Sequence, residues 1–327
     1  MKILKYLLGF TLAFSSLGLQ AKEFSKDEKA FVDDMVKNHG FTASFVEKQL
    51  KRAKVRQPIL DAISRPAEKR LTWGEYRKIF IQDSRITGGV KFWKENEDLL
   101  KRAEETYGVA PEIIVAIIGV ETRYGKFTGK FPVLDALYTL GFHYPPRSKF
   151  FRSELGHFLR LAREEKVDPG LPLGSYAGAM GRPQFISSSF RAYAVDFDKD
   201  GTRDIWHNNA DVIGSVANYF SRHGWKSDAP ITQRVKGVNA SHKPMIKKGY
   251  KPSIALSEVL DSGVKPAPDI NKKDKVSLLE MKTAKGYEYW LGLHNFYVIT
   301  RYNHSPLYAM AVYQLSQEIL NKRQQEK

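Results

Sequence analysis

The sequence predicts a mainly α-helical fold of the α+β class that includes a small β subdomain. Three observations support this prediction. Residues 22–107 carry helix-capping signals and apolar residues at helical spacing, and residues 111–125 form a long apolar run with helix start and stop signals. Residues 228–288 break into short apolar runs separated by Pro, Gly and Lys. The 327 residues, 42% of them hydrophobic, suit a globular chain with more than one domain or subdomain.

The first 21 residues have the pattern of a secretory signal peptide. Lys2 and Lys5 form a positive start, an apolar stretch from Leu7 to Leu19 follows, and Ala21 is the expected cleavage point. That stretch is too short to span a bilayer, and no later run is long enough either. We therefore expect an exported protein without a transmembrane segment. Our prediction for its location, since export without cysteine fits a bacterial cell envelope, is the periplasm of a Gram-negative bacterium.

Composition narrows the classes of function. The chain has no cysteine, which excludes disulfides, a cysteine nucleophile, a thiolate metal site and a lipid-modified cysteine. The formal net charge of +16 favours a polyanionic partner, which for an exported protein is a cell-wall polymer or a membrane surface. No nucleic-acid-binding motif is present, so no nucleic-acid partner is expected. Alternatively, the charge serves solubility alone.

The first predicted unit is a helical subdomain over residues 22–107. Capping boxes at 25–28 and 44–47 predict two helix starts. A further helix is predicted from Val90 to Tyr107, and Gly88-Gly89 is interpreted as a break or a first turn before it. The aromatic residues of this region are interpreted mainly as core.

The second predicted unit, residues 108–227, contains the central helix. Further helices are predicted from Lys149 to Glu164, after a cap at Ser187–Ser189, and from Asp211 to Gly224. A β subdomain over 228–288 and a C-terminal segment over 289–327 follow. Within the last segment, 290–297 is interpreted as a strand or turn, and the final helix is predicted to carry Ala309, Val312, Leu315 and Ile319 on one face.

The central helix carries one carboxylate, Glu121, near its far end. The residues before it leave almost no polar face, so the helix is predicted to be buried all round. A carboxylate in apolar surroundings has its charged form disfavoured, which raises its pKa and suits a general acid. The alternative is a Glu that forms a structural ion pair with Arg123 or Lys126.

A run of acidic residues at 196–211 has the spacing of a calcium loop. Asp196, Asp198 and Asp200 alternate, Gly201 permits a sharp turn, and the Thr202 carbonyl follows. In an ordinary calcium loop the twelfth position is a Glu, but here it is a histidine. Asp211 is the acid that can complete the coordination shell of the ion. The sequence thus predicts bound Ca²⁺ without an ordinary EF-hand; the alternative is a solvated acidic loop.

Four long motifs resemble, in the same order, those of the B-type lytic murein transglycosylases. These are ETRYGKFTGKFPVLDALYTLGFHYP, GSYAGAMGRPQF, VIGSVANYFSRHGW after the acidic loop, and NFYVITRYNHSPLYAMAVYQL. The resemblance covers residues 25–320. It implies a lysozyme-like core flanked by the helical and β subdomains, in a soluble exported form.

The resemblance also implies roles for individual residues. The catalytic acid of the family aligns with Glu121, and the calcium ligands align with Asp196, Asp198, Asp200, Thr202 and Asp211. Substrate-binding residues align with Gln184, Tyr302, Asn303, Tyr308 and Arg147. Two departures stand out: Pro146 replaces a basic residue before Arg147, and Ser187 replaces a proline.

These residues imply a one-acid reaction on peptidoglycan glycan strands. Most glycosidases use two carboxylates, but only Glu121 has a suitable setting; Asp135 is interpreted as a helix entry. We expect Glu121 to protonate the bond between N-acetylmuramic acid and N-acetylglucosamine and then to take the proton of the C6 hydroxyl, giving a 1,6-anhydro product. The alternatives are a non-catalytic wall-binding protein and a lysozyme-type hydrolase. Other cell-wall enzymes are further candidate partners.

Overall fold

The computed structural model describes residues 23–64, 71–265 and 274–326. The predicted signal peptide lies outside these residues. Within them, no helix is both long and apolar enough to cross a membrane. The helices are α1 Lys26–His39, α2 Ala43–Arg52, α3 Gln57–Ile63, α4 Trp73–Phe80, α5 Asp83–Glu95, α6 Glu97–Tyr107, α7 Pro111–Thr122, α8 Val133–His143, α9 Ser148–Glu164, α10 Ser187–Tyr193, α11 Asn209–Arg222, α12 Lys243–Lys247, α13 Leu256–Asp261, α14 His294–Tyr302 and α15 Pro306–Gln325. The strands are β1 Phe131–Pro132, β2 Leu173–Gly174, β3 Thr232–Val235, β4 Ile254–Ala255, β5 Lys275–Thr283 and β6 Gly286–Gly292.

The helix α7 lies at the centre of the main core. Every residue from Ile113 to Val120 is buried, which confirms the prediction of a helix without a polar face. It packs against α5, α6, α11 and α15. Pro111 begins the helix, as predicted, but the helix ends at Thr122 rather than at Gly125 because the next residues adopt left-handed backbone.

The helices of the N-terminal region begin and end at partly different residues from those predicted. The capping box of Ser25 and Glu28 is present at the start of α1. The cap of α2 is Thr42 instead of Ser44, because Thr42 accepts the N–H of Phe45. The predicted helix from Val90 to Tyr107 is in fact two helices, α5 and α6, which meet at Asn96.

Two further local predictions are wrong for identifiable reasons. Gly88 and Gly89 lie inside α5 and do not interrupt it. Ser187 begins α10 instead of preceding it, and the helix N-terminus is satisfied from elsewhere: the Glu154 carboxylate of α9 accepts the N–H of Ser188 at 2.9 Å. A carboxylate at this position also favours the positive end of the helix.

The β subdomain is a four-stranded antiparallel sheet in the order β3-β6-β5-β4. It has its own apolar core, to which β4, β5, β6 and α13 contribute. Residues 252–260, one of the short apolar runs predicted to be strands, form a strand only over Ile254–Ala255 and continue as α13. The helix is favoured because Leu256 and Val259, one helical turn apart, both face this core. The run 290–297 ends β6 and then begins α14, so β6 extends past residue 288.

The helix α15 closes the main core from the C-terminal side. Ala309, Val312, Leu315 and Ile319 are all fully buried, as predicted from their spacing. The helix packs against α7, α5, α4 and α14. The sequence prediction of a mainly helical fold with a small sheet is confirmed.

Candidate active site and calcium loop

Glu121 is the next-to-last residue of α7 and is half-buried. The chain then leaves the helix through three consecutive residues with positive φ, Arg123, Tyr124 and Gly125. A left-handed conformation costs a non-glycine residue about 1–2 kcal/mol, so two of these positions are strained. Such strain persists only where the surroundings fix the backbone, and it is common at functional sites.

The side chain of Tyr124 is what fixes this turn. Its ring fills a slot between α5 and α7 that exists because Gly88, Gly89 and Gly119 have no side chains. A Cβ on Gly119 would lie 2.5 Å from the Tyr124 hydroxyl, and a Cβ on Gly88 would lie 2.9 Å from the ring. The hydroxyl donates to the carbonyl of Arg85 at 2.8 Å. The glycine pair in α5 therefore makes room for the residue that holds the turn after Glu121.

Thr122 joins the end of α7 to the segment that carries Gln184. Its hydroxyl donates to the carbonyl of Arg182 at 3.0 Å and accepts the N–H of Gly125 at 3.0 Å. The side chain of Arg182 in turn hydrogen-bonds the amide of Asn209 in α11. The backbone directly after Glu121 is thus attached to the segment of Arg182 and, through Arg182, to α11.

Glu121 accepts a hydrogen bond from Tyr308. The Tyr308 hydroxyl lies 2.5 Å from Oε1 of Glu121, and its ring is 2% exposed in the first turn of α15. Burial, and then the charge of Glu121, raises the pKa of Tyr308 well above its usual range. Tyr308 therefore remains a hydrogen-bond donor over the whole physiological pH range. The rise in the pKa of Glu121 itself, expected from its apolar surroundings, stays a prediction.

Tyr302 packs against Tyr308, the partner of Glu121. Its ring stacks on that of Tyr308, with centroids 6.4 Å apart and planes inclined by 9°. Its hydroxyl donates to the carbonyl of Pro183 at 2.6 Å. Burial, followed by the charge of Glu121, raises the pKa of Tyr302 well above its usual range as well. Because its hydroxyl is already used, Tyr302 positions Pro183 and Tyr308.

Gln184 lies in a tightly folded segment. Its backbone φ is +52°, and its Nε2 donates to the carbonyls of Thr128 (3.0 Å) and Gly181 (2.8 Å). The segment depends on small residues, since a Cβ on Gly181 would lie 2.6 Å from the carbonyl oxygen of Ile205. The amide nitrogen of Gln184 is therefore occupied, which leaves its Oε1 as the atom suited to receive a ligand N–H or O–H.

The other two predicted substrate-binding residues, Asn303 and Arg147, make different contacts. Asn303 is the C-cap of α14, and its carbonyl accepts the N–H of Ser305 at 2.7 Å. Arg147 ends a 3₁₀ turn and is exposed. Its guanidinium lies over the ring of Phe150, 4.3 Å from the centroid. The structure thus brings Glu121, Tyr302 and Tyr308 together with the segment of Gln184, whereas the roles of Asn303 and Arg147 in binding stay predictions.

Three residues near Glu121 were missed by the sequence analysis. Thr122 and Tyr124 hold the turn, and Phe127 presents a ring that is 65% exposed, with the Arg123 guanidinium 5.8 Å from its centroid. Phe127 precedes Thr128, whose carbonyl holds Gln184. Phe127 could have been found from the sequence, because it is an aromatic residue in a polar turn. The left-handed backbone conformation of Tyr124 has no recognisable signal in the sequence.

Three of the predicted calcium ligands lie close together, in the acidic loop between α10 and α11 and in the first turn of α11. Carboxylate oxygens of Asp196, Asp198 and Asp211 lie within 4.8 Å of one another. Asp211 is fully buried in the first turn of α11, and burial raises its pKa to about 6. Its two oxygens also accept the N–H groups of Phe197 and Asp204, both at 2.7 Å, which opposes that rise.

This donor set fits a hard divalent cation. Oxygen ligands from carboxylates are what Ca²⁺ prefers, and mutual repulsion among three close carboxylates is relieved by a cation. The structure does not bring Asp200 into the cluster: its Oδ1 accepts both the N–H and the hydroxyl of Thr202, at 2.9 and 2.7 Å. The N–H of Gly201, at φ +95°, instead donates to Asp196.

Comparison with known proteins identifies the family. Residues 23–317 match the transglycosylase SLT domain. The membrane-bound lytic murein transglycosylase B of Escherichia coli K12 is 43% identical over 304 residues, which cover 90% of this chain and 83% of that protein. The soluble lytic transglycosylase SltB1 of Pseudomonas aeruginosa is 51% identical with a TM-score of 0.85, covering 90% of this chain and 99% of that one.

Two further solved structures carry bound groups. The E. coli lytic transglycosylase SLT35 in complex with calcium is 44% identical, with a TM-score of 0.83 and coverage of 91% and 94% of the two chains. SltB3 of P. aeruginosa in complex with NAG-NAM-pentapeptide is 30% identical, with a TM-score of 0.79 and coverage of 89% and 78%. The chain belongs to the transglycosylase SLT domain family. It is a lytic transglycosylase, as the order of its motifs indicated.

Proposed function

We propose that this protein cleaves the bond between N-acetylmuramic acid and N-acetylglucosamine in peptidoglycan with Glu121 as its single acid and base. In the first step Glu121 gives its proton to the bridging oxygen, and the bond from that oxygen to C1 breaks. In the second step the Glu121 carboxylate takes the proton of the C6 hydroxyl of N-acetylmuramic acid. The oxygen of that hydroxyl forms a bond to C1 of the same sugar. Glu121 is then protonated again, no water is consumed, and the product is a 1,6-anhydro sugar.

The hydrogen bond between Tyr308 and Glu121 is the observation that carries this proposal. It holds one carboxylate oxygen in place at the end of an apolar helix, and a donor to a carboxylate also stabilises the charged form that the second step needs. The glutamate thus has a neutral partner that does not compete for its proton. Proton transfer by a positioned group contributes about 10²–10⁴-fold to rate.

The other carboxylates considered as a second catalytic group are engaged elsewhere. Asp135 is 5% exposed; its Oδ1 accepts the N–H of Lys54 at 2.9 Å, and its Oδ2 accepts from the Nε of Arg56 at 2.8 Å. The carboxylates of the acidic loop are clustered with one another. A one-acid mechanism works if the substrate supplies the nucleophile, and the C6 hydroxyl in that role gives the anhydro product rather than hydrolysis.

The remaining roles follow from the surrounding contacts. Oε1 of Gln184 and the exposed ring of Phe127 are suited to hold the sugar chain, the ring by stacking on CH faces. Asn303 and Arg147 are further candidates for contact with the strand. Asp196, Asp198 and Asp211 would hold Ca²⁺, with Asp200 and the Thr202 carbonyl joining after a local rearrangement. The ion would fix the loop to the start of α11 and serve the fold rather than the reaction.

The expected setting is the bacterial periplasm. The N-terminal pattern of a signal peptide, the basic composition and a wall polymer as substrate all support export. Other cell-wall enzymes are the expected protein partners.

Mass spectrometry of the products tests the reaction. Purified sacculi are incubated with the protein, and the released muropeptides are weighed. Anhydro products, lighter than hydrolytic ones by the mass of one water, are the expected result. Reducing-end products would show a hydrolase, and wall binding without turnover would show a non-catalytic binding protein; either result contradicts the proposal.

A further inference from the structure

A cavity of about 550 Å³ lies between α2 and the C-terminal end of α9, and we refer to it as the basic cavity. None of the proposed substrate-binding residues lines it. Four cationic side chains and one carboxylate contribute to its walls, together with two phenylalanine rings and one buried amide. These residues are Lys48, Arg52, Arg163, Lys166, Asp168, Phe41, Phe45 and Gln49.

The two arginines of the basic cavity already have partners. Arg52 pairs with Asp168 at 2.5 Å and lies against Gly170, where a Cβ would overlap its guanidinium. Arg163 donates to the carbonyl of Gly40 at 3.2 Å and stacks on Phe41, 4.0 Å from the ring centroid. Arg52 therefore holds the loop after α9 in place, and Arg163 holds the loop between α1 and α2.

The two lysines are not paired in the same way. In the described parts of the chain, neither Lys48 nor Lys166 lies within 4.0 Å of a carboxylate. Both side chains are exposed at the rim. Lys48 is close enough to Asp168 to help lower the pKa of that carboxyl, after the larger effect of Arg52. One shared carboxylate leaves positive charge in excess, so the rim favours an anionic group.

One residue that lines the basic cavity, Gln49, carries a buried acceptor without a donor. Gln49 is 4% exposed, and its Oε1 has no hydrogen-bond partner among the residues that the structure describes. A buried polar group left without a partner destabilises the fold. Beside it, the rings of Phe41 and Phe45 stack with centroids 5.5 Å apart. A complementary ligand would offer an N–H donor and an apolar part as well as negative charge.

We propose that the basic cavity binds a carboxylate-bearing peptide of peptidoglycan. A peptide supplies all three features: its carboxylates face Lys48 and Lys166, an apolar side chain packs on Phe41 and Phe45, and a backbone N–H pairs with the Oε1 of Gln49 once that enclosed side chain turns toward the cavity. The identity of the peptide as a wall peptide rests on the proposed function. The basic cavity would then hold the strand at a second point, away from Glu121.

Calorimetric titration of the protein with a wall pentapeptide that carries no sugar tests this inference. We expect saturable binding, which Lys48→Glu/Lys166→Glu weakens about tenfold or more through loss of the charge pairs. Amidation of the peptide carboxyl groups should have a similar effect. Gln49→Met, which keeps the shape but removes the acceptor, should weaken binding about fivefold.

Control variants separate this site from general charge and from catalysis. Lys37→Glu/Lys91→Glu makes the same change in net charge at exposed helix positions outside the basic cavity, and should keep the affinity within about twofold. Glu121→Gln should bind the peptide like the parent protein. The cavity variants should cleave peptide-free glycan normally but peptide-bearing sacculi more slowly.

Three outcomes would overturn the inference. These are no binding of the free pentapeptide, an equal loss in the Lys37/Lys91 control, and equally tight binding of an unrelated glutamate-rich peptide, which would point to an acidic protein partner. None of them bears on the anhydro product. Conversely, failure to release anhydro products would refute the proposed function while the affinity for the peptide could still be measured.

Discussion

Two helix ends in this molecule carry carboxylates and place them in opposite electrostatic settings. Glu121 lies at the C-terminal end of α7, where the helix dipole disfavours a negative charge, and its Oε1 accepts from a neutral phenol. Asp211 lies in the first turn of α11, where the dipole favours a negative charge, and it accepts two backbone N–H groups beside Asp196 and Asp198. The first setting suits a group that exchanges a proton, and the second suits one that holds a cation.

Glu121→Gln should have the largest effect on activity. The amide keeps the shape but can neither give nor take the proton, so cleavage of sacculi should fall by at least about 10²–10⁴-fold, with the melting temperature unchanged. Glu112→Gln is a matched control, because Glu112 lies in the first turn of the same helix. Retained activity in Glu121→Gln, or an equal loss in the control, would remove Glu121 from the mechanism.

Asp211→Asn should have the complementary effect, on stability in the presence of calcium. An ion at about a hundred times its dissociation constant stabilises a fold by about 2.7 kcal/mol. Melting curves with chelator and then with excess calcium should show an upward shift in the parent and in Glu121→Gln, and little shift in Asp211→Asn.

Asp98→Asn, on the exposed face of α6, provides the control for that measurement. Its calcium-induced shift should equal that of the parent protein. A shift of the same size in Asp211→Asn, or none in the parent, would contradict the assignment of calcium to this cluster.

Two tyrosine variants sharpen the role of the phenol. Tyr308→Phe removes a hydrogen bond to a charged group, which is worth about 1.5–3 kcal/mol, so turnover should fall about ten- to hundredfold. Tyr302→Phe removes a bond to the neutral carbonyl of Pro183 and should reduce turnover less. If steady-state kinetics showed an equal loss for both, the contact with Glu121 would have no special role.

A glycine variant tests the slot behind Glu121 and should have the smallest effect. Gly119→Ala places a Cβ against Tyr124, so chemical denaturation should show a loss of about 1–3 kcal/mol. In Gly156→Ala the nearest atom is the flexible Met35 sulfur at 3.3 Å, and alanine is the better helix former, so no comparable loss is expected. Equal stability of the two variants would show that the slot is not tightly filled.

The sequence predicted the elements whose signals are local. The apolar run of α7, the capping box of Ser25 and the face of α15 depend on nearby residues alone, and all three are present. The acidic spacing likewise predicted the cluster of Asp196, Asp198 and Asp211.

The features that were missed depend on residues distant in the chain. The N-terminus of α10 is satisfied by Glu154 from α9, and Gly88 and Gly89 are glycines because Tyr124 packs on them. The pairing of Tyr308 with Glu121 spans 187 positions. No local pattern encodes such contacts, so their geometry required the folded structure.

Cleavage of sacculi in water enriched in oxygen-18 tests the central claim most directly. If Glu121 acts alone and the C6 hydroxyl is the nucleophile, the released muropeptides will carry no label at C1 and will have the mass of the 1,6-anhydro form. If water is the nucleophile, each new end will carry one heavy oxygen, and that result would contradict the proposed attack by the C6 hydroxyl.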